Sequence, residues 1–234
     1  MNDSPNVPVR SVETTLGIVE EIQARNGAGV SELAEALDIA KSTVHNHLRT
    51  LERHDYVIQE DDTFQLGFRY LDLGGHVRDR NPDFRFIQPK VRKIAEETGE
   101  ICQFLVSECG AAIVVFMERG EQAVETNARV GRRTSLDELT AGRVLTAASG
   151  RQGADEEIVT ALETDGYVAA AEAYVKGLRA IVVPITNTNG EVLGALNVAG
   201  PAHRLRNPEY EWEVADLVLD VSNELELNVS YSRY

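Results

Sequence analysis

Apolar residues return at three- and four-residue spacing along the N-terminal part of the chain, the period of an amphipathic helix. Val12, Leu16, Val19 and Ile22 predict a helix over 11–25, with Ser11 as its N-cap and Asn26-Gly27 as its end. Ser31 is placed to cap a second helix, in which Leu33, Ala34 and Leu37 face inward and Asp38 occupies the following turn. In the third helix Val44, Leu48 and Leu51 make the buried stripe. Lys41, Ser42, His45, Asn46 and Arg49 then share the opposite side, because residues three and four apart are neighbours on a helix surface. Residues 31–53, SELAEALDIAKSTVHNHLRTLER, thus read as two short helices joined by a tight turn, the second presenting polar side chains outward.

The period then changes. Tyr56-Val57-Ile58 and Phe64-Gln65-Leu66 are short strand-like runs around the polar turn 60–63, a wing directly after a helix-turn-helix. Its tip is acidic, which argues against contact with phosphate. Residues 67–80 read as a helical connection with Leu71 and Leu73 inward and Gly74-Gly75 as a weak point, and Asn81-Pro82 as the domain boundary. Beyond it the pattern predicts a helix over 87–98, strands over 101–106 and 112–118 around a Cys109-Gly110 tip, and helices over 140–148 and 155–163. Strands over 180–186 and 192–198 enclose the turn 187–190, and a long helix over 208–229 carries Trp212, Ala215, Leu219 and Leu225 among its apolar positions. Residues 1–8 read as a loose tail. Antiparallel strands flanked by helices make the second domain α+β. The division expected is 1–80 (core 9–69) and 81–234.

Composition narrows the function. A hydrophobic content of 43% over 234 residues is ordinary for a soluble globular protein, so a folded chain rather than a disordered one is expected. No apolar run is long enough to span a membrane and the N-terminus lacks the pattern of a signal peptide, so a cytoplasmic protein is expected. The net charge of −15 runs against the basic footprint usual in DNA-binding proteins. Lysines number only four (Lys41, Lys90, Lys93 and Lys176), and with the acidic excess this points to a halophilic source. In molar salt the counterion-release part of DNA affinity nearly vanishes, leaving direct contacts and shape to carry the binding. Residues 1–80 hold eight basic and fourteen acidic side chains. Within 39–59, however, Lys41, Arg49 and Arg53 outnumber Glu52 and Asp55, with His45, His47 and His54 among them. The locally basic patch coincides with the third helix, whose polar face suits base edges and phosphates. A merely solvated helix face is the plainer reading of the same pattern.

Several separate stretches, in order, resemble the IclR family of transcriptional regulators over nearly the whole chain: RSVETTLGIVEEI, VSELAEALDIAKSTVHNHLRTLERHDYV, FQLGFRYLDLG, GYVAAAEAYVKGLRAIVVPI and GEVLGALNVAGPAHRL. The resemblance implies an N-terminal winged helix-turn-helix domain, a linker helix and a C-terminal GAF/PAS-like effector-binding domain. It also implies homodimers or homotetramers on partly palindromic double-stranded operators, controlled by a small-molecule effector, with no cofactor. Its DNA-binding positions fall on Ser31, Lys41, Ser42, Thr43, His45, Asn46 and Arg49. The effector positions fall on Leu136, Thr140, Ala141, Ala170, Leu178, Ala180, Asn197 and Ala199. Asp137 stands where the family commonly has His, alanines replace acids within 169–171, and Asn197 and Ala199 stand where serine is frequent. These departures remove polar groups that would fix a small carboxylate, so a larger or less charged effector, or a pocket without one, is expected.

Other chemistry finds little support. His45 and His47 lack a second ligand at i+4, so no metal site is expected and they read as polar contacts. Arg132-Arg133 beside Asp137 and Glu138 reads as surface ion pairing rather than an anion site. For catalysis the only nucleophiles that stand out are Cys102 and Cys109, with no histidine near in sequence. They read as buried free thiols, a thiol-based redox sensor or redox enzyme on a GAF-like domain being the alternative from another class. A third reading is an interaction module whose third helix no longer binds DNA.

Overall fold

The computed structural model describes residues 8–172, 175–187 and 189–231. The expected tail lies almost wholly outside the described residues, as does Thr188 of the expected turn. The chain divides into two compact units, Met1–Val77 and Arg78–Tyr234.

In the first unit α1 spans Arg10–Arg25, α2 Val30–Ala36 and α3 Lys41–Arg53, followed by β1 (Val57–Glu60) and β2 (Thr63–Leu66). The N-cap of α1 is Val9 rather than Ser11, without a side-chain bond, and Asn26 ends the helix at φ 55. The buried face is Ile18 and Ile22, whereas Val12 and Leu16 are 53% and 55% exposed. The expected stripe is thus turned about the axis, since 12-16-19 and 15-18-22 satisfy the same spacing. Thr15 marks the inner side: its Oγ1 donates to the Ser11 carbonyl at 2.8 Å and meets His47 Nδ1 of α3 at 2.8 Å. Gly29, not Ser31, precedes α2, and its N–H is taken by Glu32 Oε2 at 2.8 Å, so the N3 glutamate supplies the cap. Asp38 makes the turn at φ 52. Leu33, Val44 and Leu48 are fully buried with Ile18 and Ile22, and Val57 and Phe64 close this core from the wing.

The strands β1 and β2 pair from Val57↔Leu66 to Glu60↔Thr63 around a two-residue turn, with Asp61 at φ 53. Helix α4 (Arg69–Asp79) buries none of its residues. Leu71 and Leu73 are 72% and 37% exposed, so their expected inward placement is overturned. Gly74 and Gly75 do not interrupt the helix.

The second unit holds α5 (Phe84–Thr98), β3 (Ile101–Glu108), β4 (Ala111–Arg119), β5 (Arg133–Ser135), α6 (Thr140–Ala148) and α7 (Glu156–Asp165). It continues with β6 (Val168–Ala171), β7 (Leu178–Thr186), β8 (Val192–Pro201), α8 (Ala202–Leu205) and α9 (Pro208–Tyr231). Its six strands run β5-β4-β3-β8-β7-β6, each pair antiparallel. The alternation of a strand sends successive side chains to opposite faces. Phe104, Ile181, Val183, Ile185, Leu196 and Val198 pack with α5 and α9 on one face. Leu105, Ala180, Val182 and Ala195 pack with α6 and α7 on the other. Trp212 of α9 is 64% exposed, contrary to its expected place in the apolar stripe, which consists instead of Val214, Ala215, Val218, Val221 and Leu225. Two rungs of 3.6-residue periodicity are compatible with either choice, and the buried one is set by the sheet.

Candidate nucleic-acid interface and effector site

Helix α3 is held by Val44 and Leu48, both fully buried, and by Leu51 at 7% exposure. Its opposite side exposes Lys41, Ser42, His45, Asn46 and Arg49, while Thr43 is half-buried. Ser31, His45 and Arg49 come together around a cleft of about 540 Å³ between α2, α3 and the wing. The same cleft is walled by Glu32, Gln59 and Asp62, which the sequence pattern did not single out. Arg49 Nη1 is 2.8 Å from Glu52 Oε2, one helical turn away, and both side chains are solvent-accessible. His47 does not join the outward face, being bonded to Thr15.

In the second unit the expected effector positions lie mostly on one face of the sheet. Leu136, Ala141, Ala170 and Ala180 belong to the apolar cluster beneath α6. Pairing puts Ala170 opposite Ala180, and Ala180 opposite Ala199, so three alanines run side by side across β6, β7 and β8. Ala180 is fully buried and Ala199 7% exposed. Leu178 and Asn197 share that face by alternation along β7 and β8. Asn197 lies opposite Gln103 of β3 and donates from Nδ2 to its Oε1 at 2.9 Å, both side chains being 5% exposed. Gln103 was missed in sequence, although a lone amide inside ICQFLV was the available signal.

Thr140, fully buried, is the first residue of α6, and its N–H reaches Glu172 Oε2 at 3.4 Å, a long contact. Burial pushes the Glu172 carboxyl above its usual range, opposed by the Thr140 hydrogen bonding and the Arg143 charge. Among the described residues, Asn197 Oδ1 and Arg143 Nε are buried without a hydrogen-bond partner. Gly142 is required by the entry to α6, since a Cβ there would lie 2.2 Å from the Leu136 carbonyl oxygen.

The remaining candidates resolve simply. Arg132 donates to the Asn127 carbonyl at 2.9 Å and Arg133 lies 3.9 Å from Glu108, both at the surface, while Asp137 accepts from Ser135. Among the described residues no group of three His, Cys, Asp or Glu is placed to hold a metal ion, and no helix is long and apolar enough to cross a membrane. Cys102 is fully buried in β3 and burial drives its thiol far above the usual range, whereas Cys109, contrary to its expected burial, is exposed at the hairpin tip. The length of β3 between them, about 23 Å at ~3.3 Å per residue, is far beyond the reach of a disulfide. An intrachain redox pair is therefore overturned. A maleimide reagent is expected to label Cys109 rapidly and Cys102 only after unfolding, as mass spectrometry with and without denaturant reads directly.

Comparison with known proteins decides what this two-unit chain is. Residues 11–61 match the IclR helix-turn-helix domain, the segment that carries α1, α2, α3 and the start of the wing. The probable HTH-type transcriptional regulator ArcR of Halobacterium salinarum is 26% identical, the match covering 94% of each chain. Its helix-turn-helix domain belongs to the IclR family. The HTH-type transcriptional regulator KdgR of Escherichia coli is 24% identical over 89% of each chain. Among solved structures, the Thermotoga maritima IclR superposes with a TM-score of 0.77 at 18% identity, covering 95% of this chain and 99% of that one. An IclR homolog from Microbacterium hydrocarbonoxydans, complexed with 4-hydroxybenzoate, superposes with a TM-score of 0.73 at 19% identity, over 92% and 98% of the two chains. The α+β fold with an N-terminal helix-turn-helix is thus that of IclR proteins, and the domain and the curated relatives it matches are those of DNA-binding transcriptional regulators, not of enzymes.

Proposed function

We propose that this IclR-family regulator binds partly palindromic operators as a homodimer or homotetramer through residues 1–80, and that an effector held in residues 81–234 sets its operator affinity. The observation that carries the reading is the outward face of α3, where five polar side chains stand opposite a fully buried apolar stripe. Lys41, Ser42, His45, Asn46 and Arg49 would meet base edges and phosphates in the major groove, with Ser31 and Thr43 supporting them at the phosphate backbone. The acid-rich wing tip, Asp61-Asp62, disfavours the usual wing-to-phosphate contact, so α3 carries the recognition.

Self-association is supported by apolar side chains left outside the core: Val12 and Leu16 of α1, and Phe68, Leu71 and Val77 in and beside α4, each more than half exposed. Apolar surface of this extent is uncommon on a monomer and fits an isologous contact between copies. The effector reading rests on Leu136, Thr140, Ala141, Ala170, Leu178, Ala180, Asn197 and Ala199 around the covered alanine row. An effector there changes DNA affinity only through different affinities for two arrangements of the protein. A cytoplasmic setting rich in salt accords with the charge of −15.

Footprinting the full chain on genomic DNA tests this. Protected sites should show two-fold related halves about 10–10.5 base pairs apart, or a multiple of that spacing. Absence of protection at every salt concentration would sink the operator reading.

A further inference from the structure

The N-terminus of α6 is a place where an anion is favoured, because the first backbone N–H groups of a helix have no intrahelical partner and the macrodipole is positive there. In this chain the position is already taken. Glu172, 5% exposed, sends Oε2 to the N–H of Thr140, the first residue of the helix. A ligand carboxylate would have to displace a carboxylate tethered to the protein, or sit against it inside a covered site.

The rest of the charge near this end of the helix points the same way. Arg143 stands 3.9 Å from Asp155, and its charge also acts on Glu172 without pairing with it, so the nearby cation is directed to carboxylates of the protein itself. What the site lacks is neutral hydrogen bonding. Asn197 gives Nδ2 to Gln103 and keeps a buried Oδ1 with nothing donating to it. Arg143 likewise retains a buried Nε–H with no acceptor. Along the same sheet face lies the row Ala170, Ala180 and Ala199, three small apolar side chains set side by side beneath α6. Buried polar groups in proteins are nearly always hydrogen-bonded, so orphans beside such a row mark groups that something else satisfies.

We propose that the effector is a flat, uncharged molecule carrying both a hydrogen-bond donor and an acceptor, and that Glu172 makes the site reject carboxylates. The body of the ligand lies on the alanine row, its donor serves Asn197 Oδ1, and its acceptor serves Arg143 Nε. This rests on the reading of the alanine row as the effector site, and the test separates the two.

Two probes with one ring, 4-hydroxybenzamide and 4-hydroxybenzoate, are titrated into the full chain by calorimetry, alongside Glu172→Gln and Ala170→Leu variants checked for folding by circular dichroism. The amide is expected to bind at least about tenfold more tightly than the carboxylate, a factor that corresponds to a single well-placed interaction. Glu172→Gln removes the tethered charge and should bring the two affinities together. Ala170→Leu, at a half-buried position that tolerates added bulk, should abolish binding of the amide. If the carboxylate binds more tightly and Ala170→Leu abolishes it, the site stands and the ligand class is overturned. A preference for the amide that Glu172→Gln leaves unchanged overturns the role of Glu172. If neither probe binds, or Ala170→Leu has no effect on binding, the site and the class fall together.

Discussion

Arg204→Met will cost the C-terminal unit about 3–5 kcal/mol of stability, the usual loss when one partner of a buried ion pair is removed. Glu100 is fully buried just before β3, and its carboxylate is gripped bidentately by Arg204 of α8, with Nε to Oε1 at 2.7 Å and Nη2 to Oε2 at 2.8 Å. Arg204 Nη2 also donates to the Gln122 carbonyl at 2.8 Å, so three stretches distant in sequence are tied at one guanidinium. The site is shaped for it: a Cβ on Gly200 would come within 2.5 Å of the Glu100 carboxylate. Methionine leaves that carboxylate buried without a counter-charge, and the planar fork of arginine is not replaced by lysine, which should restore only part of the loss. Urea denaturation followed by the signal of Trp212 in the same unit measures the change, and a loss below about 1 kcal/mol would mean that the pair behaves like a surface bridge. Adding Glu100→Gln to Arg204→Met should recover part of the deficit, since the uncompensated charge is then gone.

Periodicity made the helix-turn-helix readable because α3 has a single stripe that works: Val44, Leu48 and Leu51 leave no second face of comparable apolarity. In α1 two stripes satisfy the same spacing, and the one that packs is chosen by Thr15 against His47, a contact between residues 32 apart in sequence. The same limit misplaced Leu71, Leu73 and Trp212, which are apolar at helical spacing yet exposed. Strands β5 and β6 escaped because ARG-THR-SER-like and alanine-only stretches carry no alternation, and their pairing with β4 and β7 is set by neighbours rather than by their own pattern. At the proposed effector site the family resemblance gave the alanine row, but Gln103 and Arg143, and the contact of Glu172 with the first residue of α6, emerge only when the sheet register brings β3, β6 and α6 to a common face. Polar atoms without partners are a property of three-dimensional packing, and no local signal announces them.

Arg49→Ala should weaken operator binding about 10- to 100-fold, the loss expected for a guanidinium that reads a base edge, while leaving the melting temperature within a degree or two of wild type. The side chain is 61% exposed and adds nothing to the apolar stripe beneath α3, so the fold does not depend on it. In the free protein its Nη1 is engaged by Glu52 Oε2 at 2.8 Å. An exposed pair of this kind contributes at most about 1 kcal/mol, so DNA can take the guanidinium away from Glu52 at small cost. Glu52→Gln should then tighten binding a few-fold, because it frees Arg49 and removes a negative charge from the edge of the interface. Lys41→Ala separates base reading from charge: a phosphate contact weakens operator and unrelated DNA alike and lowers the salt slope by about one, whereas Arg49→Ala should weaken the operator selectively. In a protein with a net charge of −15 the selective loss should exceed the general one, since little of the affinity can come from bulk attraction. Fluorescence anisotropy on a footprinted operator and a scrambled duplex, at several salt concentrations, makes the comparison. Equal losses on both duplexes would demote Arg49 from a base-reading residue to a phosphate contact.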